Sequence, residues 1–297
     1  MHIALLSDVH ANFEALAAVA AELDAADVAA CWYLGDIVGY GPEPVECLLW
    51  LSELVHAIAP ESWVLGNHDA MLAGLLAEYD LAETNGTPRQ AIELNRAALL
   101  AQPWAAAFWR EQFVDDRARP RRHTLDGLDY TLVHGAQAHD RFYHRYNFPW
   151  ETLYQADEFA ILAAGATATG RPQAQLFGHT HVPTLVRLEG GRPQPVWVEP
   201  DVTYDLGQLS LVNPGSVGQP RDLDRRAAYA VLDTVGRTVT FRRVVYDWRA
   251  TAHRLVDGGY PDSLIRRLID APLPVDGANP DWPAWRDHFQ ALAERAS

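Results

Sequence analysis

The apolar run of residues 174–177 empties into Gly178-His179-Thr180-His181, with Pro183 just beyond, and reads as a buried strand ending in a loop. Side chains two apart at a strand end project to one side, so His179 and His181 offer imidazole nitrogens to the same small volume. Neutral imidazole is the commonest metal ligand. Two histidines need carboxylates and further ligands from other strand ends, and the chain supplies them in Asp8-Val9-His10, Gly35-Asp36, Gly66-Asn67-His68-Asp69 and His134-Gly135. Four of these five segments follow a short apolar run and carry a glycine, as expected where backbone passes close to an ion or a phosphate; the Asp8 segment lacks the glycine.

The spacing around these segments points to an α/β fold. Residues 3–6, 31–34 and 63–65 read as strands alternating with helices that start after Asn12 and at Pro44. Such alternation predicts a mainly parallel first sheet, helices outside it, and ligands gathered beyond the carboxyl ends of its strands. From residue 70 to 113 the period turns helical. Leu72, Leu75, Leu76 and Tyr79 mark one helix, Thr87-Pro88-Arg89-Gln90 is a capping box opening a second, and Pro103 opens a third. Asp126-Gly127, between residues 122–125 and 130–133, is a hairpin signal whose second arm delivers His134. After a helix near residues 150–162, strands at 184–188, 196–198, 209–212, 229–232 and 239–245 alternate with turn residues, implying a second, antiparallel sheet. A helix stops at Gly258, residues 272–280 read as a linker, and Trp282, Trp285, Phe289 and Leu292 suggest a last helix packing back on the body.

Charge and composition exclude several classes of partner. A net charge of -15 argues against extended nucleic-acid binding, which draws its affinity from clustered Lys and Arg. The dense basic cluster Arg117, Arg119, Arg121 and Arg122 reads as a solvated turn. No apolar run reaches the ~18 to 20 residues of a membrane span, and the strand-like opening leaves no room for a signal peptide. Cys31 and Cys47 have neither metal-type nor disulfide-type spacing, which predicts reduced, structural thiols and a cytoplasmic location. His2, His56, His123, His253 and His288 lie outside the motifs and read as structural or exposed. His139 and His144 share the loop after His134 with Arg141, Tyr143 and Tyr146, where a substrate contact stays open.

In their order, D-x-H, GD, GNHD, HG and GHTH resemble the calcineurin-like metallophosphoesterase superfamily. Residues 213–218, Asn-Pro-Gly-Ser-Val-Gly, together with Gly39-Tyr40-Gly41-Pro42, resemble a bacterial and archaeal branch of uncharacterised phosphoesterases. The resemblance implies a four-layer αββα sandwich of two packed mixed sheets over residues 1–270, with residues 70–113 as a helical insertion walling the substrate cleft and residues 271–297 as linker and terminal helix. It further implies that Asp8, His10, Asp36 and His181 hold one metal and that Asp36, Asn67, His134 and His179 hold the other, so that Asp36 bridges. An oxygen and nitrogen set of this kind suits two divalent or trivalent ions of Mn, Fe, Zn, Co or Ni, and is too imidazole-rich for Ca or Mg alone. Such ions, ~3.5 to 4 Å apart, form a platform for in-line displacement at phosphorus by a coordinated water whose pKa falls from ~15.7 towards ~7. His68 is the expected general acid, Asp69 its orienting or charge-stabilising partner, and Asn67, His68 and Arg221 the substrate-binding candidates, Arg221 as a bidentate clamp on a phosphate oxygen.

The implied reaction is hydrolysis of small phosphodiesters or phosphomonoesters. The joint presence of His10 and His68 leans towards diesters. A protein phosphatase, a dinucleoside polyphosphate hydrolase, and a non-enzymatic scaffold that kept the fold, as a retromer subunit resembling this family has done, remain as alternatives. The oligomeric state is not readable from the sequence.

Overall fold

Strand β1 (His2–Leu6) divides its side chains by the two-residue period of extended backbone: Ile3 and Leu5 enter the core between two sheets, while Ala4 and Leu6 face helices. In the computed structural model, which describes residues 1–57, 62–76, 86–139, 142–143, 145–148 and 152–269, β1 runs parallel to β2 (Ala30–Tyr33). The expectations placed on Tyr79, Arg141, His144 and residues 271–297 lie outside the described residues.

The first sheet has the order β2-β1-β10-β11-β8, with β8 at Thr203–Asp205, β10 at Ala227–Asp233 and β11 at Thr238–Val244. The second has the order β3-β4-β5-β9-β6-β7, where β3 is Arg121–Leu125, β4 Leu128–Leu132, β5 Gln173–Leu176, β6 Thr184–Glu189, β7 Arg192–Val196 and β9 Leu209–Asn213. A mainly parallel first sheet is therefore not what forms. β10 pairs antiparallel with β1, and β11 and β8 extend that antiparallel edge. Sheet membership is set by pairing between distant segments, which local periodicity does not carry. β10 can occupy a central position because Ala227 to Ala230 are buried on both faces. The strand expected at residues 63–65 is reduced to a parallel bridge between Tyr33 and Trp63.

Leu5, Trp32 and Leu34 from one sheet meet Tyr130, Leu132, Leu176 and Val212 from the other in the central core. Burying each such side chain is worth about 1.5–3 kcal/mol. Helices α1 (Phe13–Ala25) and α2 (Pro44–Ala57) cover the outer side of the first sheet, where Leu16, Val19, Leu48 and Leu51 pack with Ala4 and Leu6. Asn12 caps α1 as expected, accepting from the Ala15 N–H. On the far side, Phe159 and Leu162 of α6 (Thr152–Thr169) pack with Phe177, Val186 and Leu211. The layers are thus αββα.

Helix α3 (Asn67–Ala73) stops earlier than its leucine spacing suggests, because Gly74 takes the left-handed conformation (φ 74) that closes a helix. Helices α4 (Gly86–Leu100) and α5 (Pro103–Gln112) follow; Pro103 holds the first helical position, as expected. α4 opens at Gly86, so Thr87 falls inside its first turn, and its hydroxyl lies 3.1 Å from that of Ser263. Helix α7 (Trp248–Asp257) is capped by Asp247 and ends at Gly258, and α8 (Asp262–Ile269) follows. Ala91 of α4, Leu255 of α7, and Leu264 and Leu268 of α8 share a small apolar cluster with Tyr40. Asp126 (φ 48) and Gly127 (φ 77) are both left-handed, which is the two-residue turn that matches strand twist in the β3–β4 hairpin. Among the described residues, no helix is long and apolar enough to cross a membrane.

Candidate metal centre

β1, β2, β4 and β5, together with the Trp63 bridge, deliver the motif segments to one end of the sandwich. The backbone there is unusual: Asp8 (φ 54), His10 (φ 51), Asp36 (φ 63), His179 (φ 67) and His181 (φ 60) all adopt left-handed conformations without being glycine. Each costs about 1–3 kcal/mol, and residues held this way gather at sites where geometry is demanded by function. Surrounding hydrogen bonds hold them. The Asp8 and His10 N–H groups donate to the Gly35 and Asp36 carbonyls, both at 2.9 Å. The Asp8 carbonyl accepts from the Ser216 hydroxyl at 2.7 Å and the Gly218 N–H at 3.0 Å. Asn213 Nδ2 donates to the Gly178 carbonyl at 2.6 Å, so the Asn213 to Gly218 loop braces two ligand segments together.

Three imidazoles are aimed by the same device. Nδ1 of His10 meets the Val38 carbonyl at 3.0 Å, that of His134 the Leu34 carbonyl at 2.7 Å, and that of His181 the Gln219 carbonyl at 2.6 Å. A carbonyl only accepts, so Nδ1 carries a proton in each ring and Nε2 is the nitrogen turned inward, available as a ligand whenever the ring is neutral. Nε2 of His10 and of His181 then face one another at 3.0 Å, and the buried Nε2 of His179 has no partner among the described residues. Nitrogens converging in this way could hold a metal ion between them.

The ligand atoms sort into groups within 4.8 Å: Asp8 with His10 and His181, and Asp36 with His134 and His179. Asp36 Oδ2 is 3.7 Å from His10 Nε2 and 3.3 Å from His134 Nε2, so it stands between the two groups. Asn67 Oδ1 is 3.2 Å from His134 Nε2 and joins the second. All seven of these residues come together, and the set is one that could hold metal.

The calcineurin-like phosphoesterase superfamily domain matches residues 1–237. The chain belongs to that superfamily. A metallophosphoesterase from Sphaerobacter thermophilus is 33% identical and superposes with a TM-score of 0.68, covering 92% of this chain and 99% of that one. A hypothetical protein from Pyrococcus horikoshii, 19% identical, shares the fold with a TM-score of 0.68 over 90% of this chain and 97% of its own. An uncharacterized protein of Methanocaldococcus jannaschii is 28% identical over 270 residues, which is 90% of this chain and 97% of the relative. The protein is a metal-dependent phosphoric ester hydrolase with the sandwich of its superfamily.

Within this phosphoesterase, burial and charge oppose one another. Burial pushes the Asp36 carboxyl up, but His134 and His68 outweigh it and hold it well below the usual range. Burial likewise pulls His134 down, and the Asp36 charge reverses that to leave it raised to about 9. Burial, against the opposing pull of Asp36, takes His68 down to about 3; burial reinforced by Arg221 takes His181 to about 3 as well, leaving both neutral.

Asp69 is placed otherwise than expected. Its Oδ2 accepts from the N–H groups of Asp36 (2.7 Å) and Gly66 (3.0 Å), and its Oδ1 from Ile37 (3.0 Å) and Val38 (3.3 Å). These bonds commit both oxygens to shaping the Asp36 loop, so orientation of the His68 ring falls to other groups. That ring instead packs between His10 (centroids 4.8 Å) and Tyr40 (4.4 Å), and its Nδ1 lacks a partner among the described residues, while the His68 backbone N–H donates to Asp36 Oδ1 at 2.8 Å. It also lies within ligand reach of His10 and Asp36. Glycine is required opposite it: a Cβ on Gly39 (φ 93) would run into His68 Nδ1, and one on Gly66 into Asp36 Oδ1.

Arg221 stands at the rim, its Nη2 3.3 Å from the Tyr40 hydroxyl and from Gln219 Oε1. Three neighbours were not assigned roles from sequence. Tyr146 stacks on His179 with centroids 3.9 Å apart. Asn95 of α4 accepts from the Gly39 N–H at 2.7 Å and donates to the Gly41 carbonyl at 3.0 Å, fixing the turn that carries Tyr40. Gln219 holds His181. A polar residue on the apolar stripe of α4, as Asn95 is between Ile92 and Leu99, was the one available signal.

Proposed function

We propose that this phosphoesterase is a dinuclear enzyme of the cytoplasm that hydrolyses small phosphate esters, diesters in preference to monoesters. The observation that carries the reading is the shared position of Asp36 between two ligand groups. Asp8, His10, Asp36 and His181 would hold one ion, and Asp36, Asn67, His134 and His179 the other. When bound, such ions acidify coordinated water and screen the phosphoryl oxygens. Manganese, iron, zinc, cobalt and nickel all suit the donor set. Free, buried Cys31 and Cys47 fit a reducing compartment.

The chain's own groups supply positioning and proton transfer. Arg221 offers a planar fork of donors to a phosphate oxygen. His68, buried beside Asp36, is the residue proposed to hand a proton to the leaving oxygen. A ring held down to about 3 is neutral near pH 7, so the role requires the anionic substrate itself to raise it.

Metal-stripped protein reloaded with Mn, Zn, Co or Ni tests the reading. About two ions per chain, with restored hydrolysis of bis(4-nitrophenyl) phosphate above that of 4-nitrophenyl phosphate, is expected. One ion or none, without hydrolysis, overturns it. His68→Ala should keep both ions and slow poor leaving groups most, by roughly 100-fold or more; unchanged rates would remove His68 from the mechanism.

A further inference from the structure

Two arginines from distant parts of the chain converge on one neutral amide beside the metal centre. Nη2 of Arg221 and Nη1 of Arg267, the latter on α8, each lie 3.3 Å from Gln219 Oε1. The two nitrogens therefore stand no farther apart than twice that distance. Both guanidiniums also lie over the Tyr40 ring, 5.8 and 5.5 Å from its centroid. Among the described residues, neither has a carboxylate in ion-pair reach; their partners there are the Gln219 amide, the Tyr40 and Tyr146 phenols, and the Tyr40 aromatic face.

Elsewhere in this chain, which has 39 acidic residues for 24 basic ones, arginines take both kinds of partner: Arg96 donates to the Met71 and Leu72 carbonyls. Arg171, Arg226, Arg242, Arg243 and Arg254 all have a carboxylate partner. Two like charges gathered by a neutral group repel, and the arrangement becomes favourable once an anion lies between them. The pair also faces the chemistry. The Gln219 carbonyl holds His181 Nδ1, the Arg221 N–H donates to the His181 carbonyl at 3.2 Å, and Tyr40 packs 4.7 Å from His10 and 4.4 Å from His68. α8 thereby reaches the site from a part of the chain that carries no motif.

We propose that Arg267 and Gln219, with Arg221 standing between them and the first phosphate and serving both, form a second anion subsite next to the metal centre, so that the preferred substrate is a phosphate ester whose other substituent carries its own carboxylate or phosphate. This rests on the phosphoesterase reading for the first phosphate and adds the requirement for a second charge. Arg267 acts on substrate rather than on the metals.

Non-hydrolysable probes test the subsite without turnover. Phosphonocarboxylates of increasing chain length, the corresponding bisphosphonates, and alkylphosphonates of matched length would be titrated into Mn-loaded full-length protein by calorimetry. At least one doubly anionic probe is expected to bind about tenfold tighter than its alkyl twin, and the better of the two anion types identifies the second group. Arg267→Ala should bring that ratio close to one with the alkyl twin's affinity unchanged, Arg267→Lys should keep part of it, and Arg221→Ala, remote from α8 in sequence, should weaken both twins and reduce the ratio as well. Metal content and melting temperature, measured alongside, report whether α8 has stayed docked. Equal affinities for all twins in the wild type, or a ratio untouched by Arg267→Ala, overturns the proposal. A preserved ratio in a protein that hydrolyses no ester would sink the phosphoesterase reading and leave the subsite standing; hydrolysis with no ratio would do the reverse.

Discussion

Two buried clusters of charge lie within the same fold and are built on opposite plans. Behind the loop of residues 219–224, Asp224 takes the Arg226 guanidinium at 2.7 Å, Arg243 pairs with Asp222, and the Arg243 Nε is 3.8 Å from Asp224. Two carboxylates meet two guanidiniums, and the charges cancel inside the chain. At the metal centre, Asp8, Asp36 and Asp69 are as deeply buried but face imidazoles and backbone N–H groups. Most of those imidazoles are held neutral, and the backbone beneath them is left-handed at five positions. The first cluster matches carboxylate to guanidinium within the chain. The second leaves anionic charge and unshared lone pairs for something outside the chain to satisfy, which distinguishes a binding site from a structural ion network at equal burial.

Substitutions can break this contrast. Asp36→Asn should do the most, since it removes the carboxylate common to both ligand groups. Metal analysis should find at most one ion per chain, and hydrolysis should fall by more than the roughly 100-fold that losing an outer-shell partner costs. Full metal content in that variant would mean the two groups are not linked through Asp36. Asp224→Ala should instead strand Arg226 and lower stability to urea by about 3–5 kcal/mol, with metal content preserved. A loss of metal with no loss of stability would reverse the roles assigned to the two clusters.

Smaller effects sharpen the comparison. Gly39→Ala places a Cβ against His68 while sparing every expected metal ligand. Turnover should drop by up to the roughly 100-fold that a ~1 Å misplacement costs, at unchanged metal stoichiometry. Asp129 supplies a self-neutralised pair nearer the surface: its carboxylate, 14% exposed, accepts from Arg171 Nε and Gln173 Nε2, both at 2.8 Å, and from the Thr124 hydroxyl at 2.7 Å. Burial opposes ionisation there, but these donors outweigh it and hold the carboxyl well below the usual range. Its folded pKa thus lies under the unfolded ~3.9, so the stabilisation is present above about pH 4 and is lost as pH falls through the folded value. Asp129→Asn should cost no more than about 1 kcal/mol at pH 7, and melting curves of variant and wild type should draw together as pH falls below about 4. A gap that widens in acid would contradict the pairing.

The positions that gather at the site were legible because each sits where an apolar run ends, and strand ends project residues two apart to one side. His179 and His181 carried that signal alone. The hairpin at Asp126-Gly127 and the caps at Asn12 and Pro103 were legible for the same local reason: each is a choice made within a few residues. What could not be read depends on distant partners. Nothing within β10 says that it inserts beside β1 instead of joining a second sheet, and nothing in Asp69 says that its oxygens will be taken by the 36–38 backbone. Arg267 and Tyr40 are far apart in sequence, and only the packing of α8 brings them together. Gly74 was visible and outweighed the leucine period that seemed to continue past it, since a left-handed cap ends a helix whatever apolar spacing follows.

β1 leads directly into the loop of Asp8 and His10, yet it lies between β2 and β10, and the latter ends at Asp233. During synthesis the opening strand therefore emerges long before the neighbour that completes its hydrogen bonding, and must wait with one edge open. Loop closure across that span is slow, and an unpaired edge invites association with other chains. We expect nascent forms truncated before β10 to be captured by chaperones or to aggregate, and Asp8 and His10, just past the end of β1, to be locked in place only after nearly the whole sandwich has been made.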